Sequence, residues 1–187
     1  GMENPASQVR GKDIHSYNGG VSFTCCVGDE EFPVELPVEG AHNVRNALAA
    51  IAATMELGMT REEIQEALRR FENVGMRQRI YEAQGYQIIE DCYNAGPQSM
   101  EAAIRLLGER ECKGRRIAVL GSMLELGHRA SAEHYRIGRL AARNCDLLLA
   151  YGKEAKEYVT GALTGGMPQR DTLHFDAPEA VASALKM

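Results

Sequence analysis

Several signatures are missing from these 187 residues, and each absence closes a class of function. No apolar run approaches the roughly 18 residues of a membrane-spanning helix, and no signal-peptide pattern opens the chain. Basic residues are not gathered: pairs such as Arg69-Arg70 and Arg115-Arg116 stand alone, and the formal net charge is −5. A protein that neutralises nucleic-acid phosphates needs the opposite balance. The cysteines, Cys25, Cys26, Cys92, Cys112 and Cys145, are odd in number, irregularly spaced and free of any C-x-x-C pair. That argues against a disulfide framework or zinc site and for a reduced, cytoplasmic protein.

Signatures of catalysis are missing too. Gly11-Lys12 and Gly152-Lys153 are the only Gly-Lys pairs, and neither belongs to a G-x-x-x-x-G-K-[ST] P-loop. There is no G-x-G-x-x-G after a strand-like run, and no Ser-His-Asp or metal-ligand spacing. What is present is an ordinary globular composition, 44% hydrophobic and 25% charged. At roughly 100–150 residues per domain, it supports one good core or two small ones. Gly1, ahead of Met2, reads as the remnant of an expression tag.

The organisation changes along the chain. Residues 9–15, 21–27 and 31–36 read as short strands separated by Asn18-Gly19-Gly20 and Gly28-Asp29, which are strong hairpin signals. Pro33 and Pro37 put the third strand at or near an edge. From His42 to Leu57, apolar Val44, Ala47, Leu48, Ile51 and Met55 recur at helical spacing. Ala49, Ala50 and Ala53 line the other side, so close neighbours are expected on two faces. Thr60 and Glu63 make a capping-box pattern that starts a second helix through Arg70.

Beyond 74–77 the rhythm becomes strand–helix. Strands are expected at 80–83, 86–90, 116–121, 146–151 and 172–175. Helices are expected from Pro97 to Glu109, at 131–143 and 153–163, and from Pro178 to the end. Such alternation implies an α/β unit whose parallel sheet is covered on both faces. The last helix runs to Met187 without a cap residue, as if the sheet continued further.

Three clusters carry polar chemistry. The first, Gly40-Ala41-His42-Asn43-Val44-Arg45-Asn46, opens the Ala-rich helix. His42 and Asn46 share a face, where an amide can pair with an adenine edge and an imidazole can stack on it. Equally, Asn43 or His42 can serve only as a helix cap. The second, Asp91-Cys92-Tyr93-Asn94-Ala95-Gly96-Pro97, joins a strand end to a helix N-terminus, where ligands and anions collect in open α/β sheets. Asp91 can accept from ribose hydroxyls and Asn94 can orient an amide, or the segment is an Asx-type turn. The third, Leu120-Gly121-Ser122-Met123-Leu124-Glu125-Leu126-Gly127, also follows a hydrophobic strand. Glu125 is either functional or an ordinary loop carboxylate, and His134 on the next helix reads as structural.

In this order and at these separations, the three segments resemble the Mur ligase family over about residues 5–187. Within it, the Tyr93-Asn94-Ala95 and Met123-Leu124-Glu125-Leu126-Gly127 signatures resemble the branch that adds D-alanyl-D-alanine to UDP-N-acetylmuramoyl-tripeptide. The resemblance implies a tail of the central ATPase domain in residues 1–75, with antiparallel strands plus helices. An incomplete Rossmann-like C-terminal domain with a mainly parallel sheet would follow in residues 76–187. By the same resemblance, His42, Asn43, Asn46, Arg77 and Asp91 would bind ATP. Tyr93, Asn94, Gly96, Pro97 and Glu125 would lie on the substrate side, and a hinge would fall at 75–77. The family reaction uses ATP and Mg²⁺ to make an acyl-phosphate that the dipeptide amine attacks, in the cytoplasm and in a monomeric enzyme.

Two positions depart from the family pattern: Gly96 stands where Asn is usual, and Ser122 where Asp is usual. With the UDP-binding domain, P-loop, metal ligands and a later Lys-Gly-Ser segment all missing, no catalytic residue is assigned, and the polypeptide is expected to be inactive alone. The alternatives are a paralogue acting on another amino acid or on folate, and a non-catalytic ligand-binding module.

Overall fold

Two tight turns, Asn18-Gly19 and Gly28-Asp29, fold the start of the chain into an antiparallel meander. Gly19 and Gly28 both take positive φ, the conformation that two-residue hairpin loops demand. The strands are β1 (Val9–Tyr17), β2 (Gly20–Val27) and β3 (Glu30–Leu36), in that spatial order. The structure, a computed structural model, describes residues 1–2, 4, 6–73 and 75–185. As expected, β3 is an edge strand, which leaves Pro33 opposite Thr24 without breaking a central ladder.

On β2 and β3, alternation buries Val21, Phe23 and Cys25 together with Phe32, Val34 and Leu36. Helix α1 (Ala41–Glu56) lays Val44, Ala47, Leu48 and Ile51 on that surface. Each such side chain contributes about 1.5–3 kcal/mol when fully removed from water, before the cost of ordering the chain. The two-faced burial expected of α1 is not found within this unit: Ala49, Ala50 and Ala53 are exposed. Helix α2 (Arg61–Arg69) begins at the anticipated capping box and adds Ile64 to the same core. There Thr60 Oγ1 accepts from the Glu63 N–H at 3.3 Å, and Glu63 Oε2 accepts from the Thr60 N–H at 2.8 Å.

The chain divides into two compact units, Gly1–Val74 and Gly75–Met187. Val74, within the stretch where the sequence changes character, lies outside the described residues, as do Lys186 and Met187 at the expected end of the last helix.

The second unit opens with a correction. Among the described residues, strands β4 (Arg79–Ala83) and β5 (Tyr86–Glu90) pair only with each other, as an antiparallel hairpin, and not with the parallel sheet. Gln84 and Gly85 form its turn, both at positive φ. The parallel sheet consists of β6 (Ile117–Gly121), β7 (Leu147–Tyr151) and β8 (Thr172–Phe175) in sequential order. Helices α3 (Pro97–Glu109), α4 (Ala130–Ala141), α5 (Lys156–Thr164) and α6 (Pro178–Ala184) complete the unit.

One face of the sheet presents Ala118, Leu120, Leu148 and Ala150 to Ile104, Ile137, Ala141, Tyr158 and Ala162, which form the main core. The opposite face is covered only in part. Leu149 at its centre is 1% exposed, and Val181 of α6, which lies against β7 and β8, is 3% exposed. Val119 and Leu173 on the flanking strands are 44% and 37% exposed. The expectation of a sheet covered on both faces therefore holds only at its middle strand among the described residues.

Candidate functional site

The polar clusters fall in both units, and each has its own geometry. In the first unit, Gly40 is the N-cap of α1 at φ 97°, with no side-chain cap. Asn43 instead reaches back: its Nδ2 donates to the Glu39 carbonyl at 2.9 Å, while its Oδ1 accepts from Asn46 Nδ2 at 3.4 Å. Glu39 is itself buried, and its Oε1 accepts from the Gly19 N–H at 2.7 Å. These bonds tie the helix entrance to the first hairpin. His42 is half-buried and Asn46 exposed, one turn apart on the same side of α1.

The second cluster is held by the strand pair that sequence reading assigned to the wrong sheet. Because β5 belongs to a hairpin, Asp91 does not sit at the carboxyl edge of the parallel sheet. It sits where the hairpin hands the chain to α3. Pairing continues past the hairpin's open end: the Cys92 N–H donates to the Met76 carbonyl at 3.0 Å. Gln78, a non-glycine residue at φ 46°, donates its N–H to Asp91 Oδ1 at 3.3 Å. This extension places the Arg77 guanidinium over the Tyr93 ring, 4.2 Å from its centroid. Such stacking leaves the in-plane N–H donors of arginine directed outward, where they can meet an anion. Arg77, Tyr93 and Asp91 are thus brought together. The sequence grouped Asp91 with Tyr93 in one segment but set Arg77 apart, and gave no sign of the stack.

Asn94 is exposed just beyond, and Pro97 starts α3 at its first position. The N-cap is Gly96, whose N–H donates to Ser99 Oγ at 3.1 Å. Its φ of −133° is ordinary extended backbone, and a Cβ there would meet only Ser99 Oγ at 3.7 Å. Nothing local requires glycine at this position.

The third cluster lies at the carboxyl end of β6. Met123 is buried and anchors the loop, while Leu124 and Glu125 are exposed, Glu125 at φ 63°. The Ser122 Oγ is buried without a hydrogen-bond partner. It faces Gly152, which follows β7 and carries no side chain to collide with it. Gly152 in turn donates to the Phe175 carbonyl at 3.1 Å and accepts from His174 Nε2 at 2.8 Å. The ends of β7 and β8 are thus bonded to each other beside the end of β6, at the usual ligand edge of a parallel α/β sheet.

With this geometry in place, comparison with known proteins gives a consistent result. Residues 69–187 match the family described as "Mur ligase, glutamate ligase domain", and residues 1–54 match "Mur ligase middle domain". The UDP-N-acetylmuramoyl-tripeptide–D-alanyl-D-alanine ligase of Escherichia coli K12 is 33% identical over 183 residues, covering 97% of this chain and 38% of the relative. The Bacillus subtilis protein of the same name is 36% identical over 154 residues, covering 81% and 33%. A crystal structure of MurF from Acinetobacter baumannii superposes with a TM-score of 0.86 at 29% identity, covering 98% of this chain and 39% of that one. The chain therefore spans little more than a third of the length of these relatives.

Proposed function

The chain belongs to the Mur ligase family, and we propose that it is part of an ATP-dependent ligase joining D-alanyl-D-alanine to UDP-N-acetylmuramoyl-tripeptide. The observation that carries this reading is the grouping of Arg77, Asp91 and Tyr93 at the entry to α3, in a chain whose relatives bear that ligase name.

In the proposed reaction, the tripeptide carboxylate takes the γ-phosphoryl group of ATP, giving an acyl-phosphate and ADP. The dipeptide amine then attacks the acyl carbon, an amide bond forms, and inorganic phosphate leaves. His42 and Asn46 contact the adenine, and Asn43 holds the entrance of α1 in shape beneath them. Asp91 accepts from the ribose, with one oxygen already receiving the Gln78 N–H. Arg77, kept flat by Tyr93, faces the ribose and phosphates. Tyr93, Asn94, Gly96, Pro97 and Glu125 border the dipeptide.

Family chemistry also calls for Mg²⁺. Among the described residues no group of three His, Cys, Asp or Glu side chains is placed to hold a metal ion, so no step is assigned to a metal on this segment. Lacking a P-loop, the 187-residue chain binds no phosphate by that route.

The test is phosphate release by the full-length protein given ATP, the UDP-tripeptide and a panel of amine acceptors. Release that depends on D-alanyl-D-alanine supports the reading. Release that depends on a single amino acid or on a folate instead assigns the chain to a paralogue. The isolated 187-residue chain is expected to give no ligation under any of these conditions.

A further inference from the structure

We propose that His134 is the positioning residue of the loop at 122–127, acting as a neutral imidazole that fixes where Glu125 stands. The proposal rests on reading that loop as the acceptor-amine side of the site.

His134 is fully buried, yet both ring nitrogens are engaged. Nδ1 lies 2.7 Å from the Ala130 carbonyl and Nε2 lies 2.9 Å from the Met123 amide nitrogen. A carbonyl can only accept and an amide N–H can only donate, so the two partners dictate the tautomer. The proton is on Nδ1 and the lone pair of Nε2 receives the Met123 N–H. The bond to Ala130 holds the ring against the first turn of its own helix. The bond to Met123 reaches outside α4 altogether, into the loop.

A second anchor stands beside it. The Tyr158 ring packs 4.6 Å from the His134 ring, and its hydroxyl donates to the Gly121 carbonyl at 3.0 Å. Gly121 and Met123, the residues on either side of Ser122, are thus gripped from α5 and α4 respectively. Beyond this grip the loop is exposed, and Glu125 adopts left-handed backbone that is unfavourable for a residue with a side chain. Such a conformation persists only where its surroundings over-determine it. At this position the surroundings are the two bonds at the base of the loop, the buried Met123 side chain between them and Glu125, and Leu126, which packs on the core and whose carbonyl accepts from the Arg129 N–H at 3.1 Å. A histidine serving only to fill the core would bond within its helix, and would leave the Met123 amide unpaired.

Two variants separate the roles. In His134→Gln, the side-chain oxygen can take the place of Nε2 and accept from Met123. In His134→Leu no acceptor is left. Nitrogen-15 NMR of the chain is expected to show the Nδ1-protonated tautomer. Hydrogen exchange at the Met123 amide is expected to accelerate about tenfold in His134→Leu, the loss of one buried hydrogen bond, and to return toward the parent rate in His134→Gln. Tyr158→Phe, which removes only the bond to Gly121, is expected to leave the Met123 amide protected.

In the full-length ligase, His134→Leu is expected to raise KM for the dipeptide about tenfold while KM for ATP stays within about twofold, with partial rescue by Gln. Unchanged Met123 exchange in His134→Leu, or equal damage by Leu and Gln, overturns the positioning role. Anchoring shown by exchange, together with an unaltered enzyme that does not use the dipeptide, overturns the functional reading and with it the role assigned to Glu125.

Discussion

Identical side chains are sorted sharply by their surroundings, and the cysteines show it best. Burial pushes the Cys25 thiol up to about 11 and the Cys145 thiol up to about 12, so neither supplies thiolate near neutral pH. Cys26 is buried with them, whereas Cys92 and Cys112 are exposed. A thiol reagent at pH 8 is therefore expected to modify two cysteines quickly in the native chain and the other three only on unfolding. Mass mapping that finds Cys145 among the fast pair would contradict the packing of the turn between α4 and β7 against the core. Gly96 offers a second test at this scale. Its ordinary φ and open surroundings admit the asparagine usual in the family, and asparagine is among the best N-cap residues. Gly96→Asn is expected to stabilise the chain by a few tenths of a kcal/mol, seen as an unchanged or slightly raised Tm. A loss above about 1 kcal/mol would show that the entrance to α3 is tighter than its geometry implies. Sequence alone grouped Asp91, Tyr93 and Asn94 in one polar segment, because their order is distinctive. It could not show Arg77 lying on Tyr93, since that contact depends on the pairing of Cys92 with Met76.

Among the elements, α4 and α5 cross with their backbones close together at two glycines. A Cβ on Gly138 would overlap the Tyr158 carbonyl, and one on Gly161 would overlap the Tyr135 carbonyl. Backbone cannot step aside as a long side chain can, so the helices would have to separate and lift Tyr158 from its core. Gly138→Ala and Gly161→Ala are each expected to destabilise the chain by about 1–3 kcal/mol despite alanine's better helix propensity. Chemical denaturation of the two variants measures this, and a gain in stability from either would refute the close crossing. Neither glycine announces itself in the sequence, where a glycine inside a helical pattern reads only as a weak point. Elements with local signals were legible: Thr60 with Glu63 for α2, Pro97 for α3, and the paired turns of the first sheet. The β4–β5 hairpin was not, because Gln84 is an uncommon residue for a turn position with positive φ. Strands flanking a helical pattern then read naturally as strand–helix–strand, and only hydrogen-bond partners distinguish a hairpin from an addition to the sheet.

At the scale of the whole molecule, charge links the two units to pH in the same direction. Glu31 is held below the usual carboxylate range by the Lys12 ammonium, Glu63 by the Thr60 N–H and hydroxyl, and Glu101 by the guanidinium groups of Arg136 and then Arg105. A carboxylate whose folded pKa is depressed stabilises the fold fully above its unfolded value of about 4.3, and that contribution disappears as pH falls through the folded value. Lys12 runs the other way. Its pKa is raised by Glu31, so its contribution is full below about 10.4 and is lost only as pH rises beyond that. Together the carboxylates bring stability to its full value by about pH 5, with the loss on the acid side felt in both units. On the alkaline side the buried Cys25 and Cys145 thiols, which ionise at about pH 8.5 in the unfolded chain but not in the folded one, lower stability from about pH 8.5 upward. Glu101 is the member with structural reach, because Arg136 joins it on α3, at 2.6 Å, to Glu133 on α4, at 2.9 Å. Its side chain is about a third exposed (32%), so the bridge is worth roughly 0.5–1 kcal/mol rather than the value of a buried pair. Glu101→Gln is expected to lower Tm at pH 7 by a few degrees and to flatten the acid limb, so that the gap between variant and parent narrows as pH falls through the acid range. Thermal melts from pH 3 to pH 8 measure both curves. A parent Tm that climbs as pH falls, or a variant that keeps a constant offset from the parent throughout the acid limb, would show that the charge of Glu101 does not stabilise the α3–α4 contact.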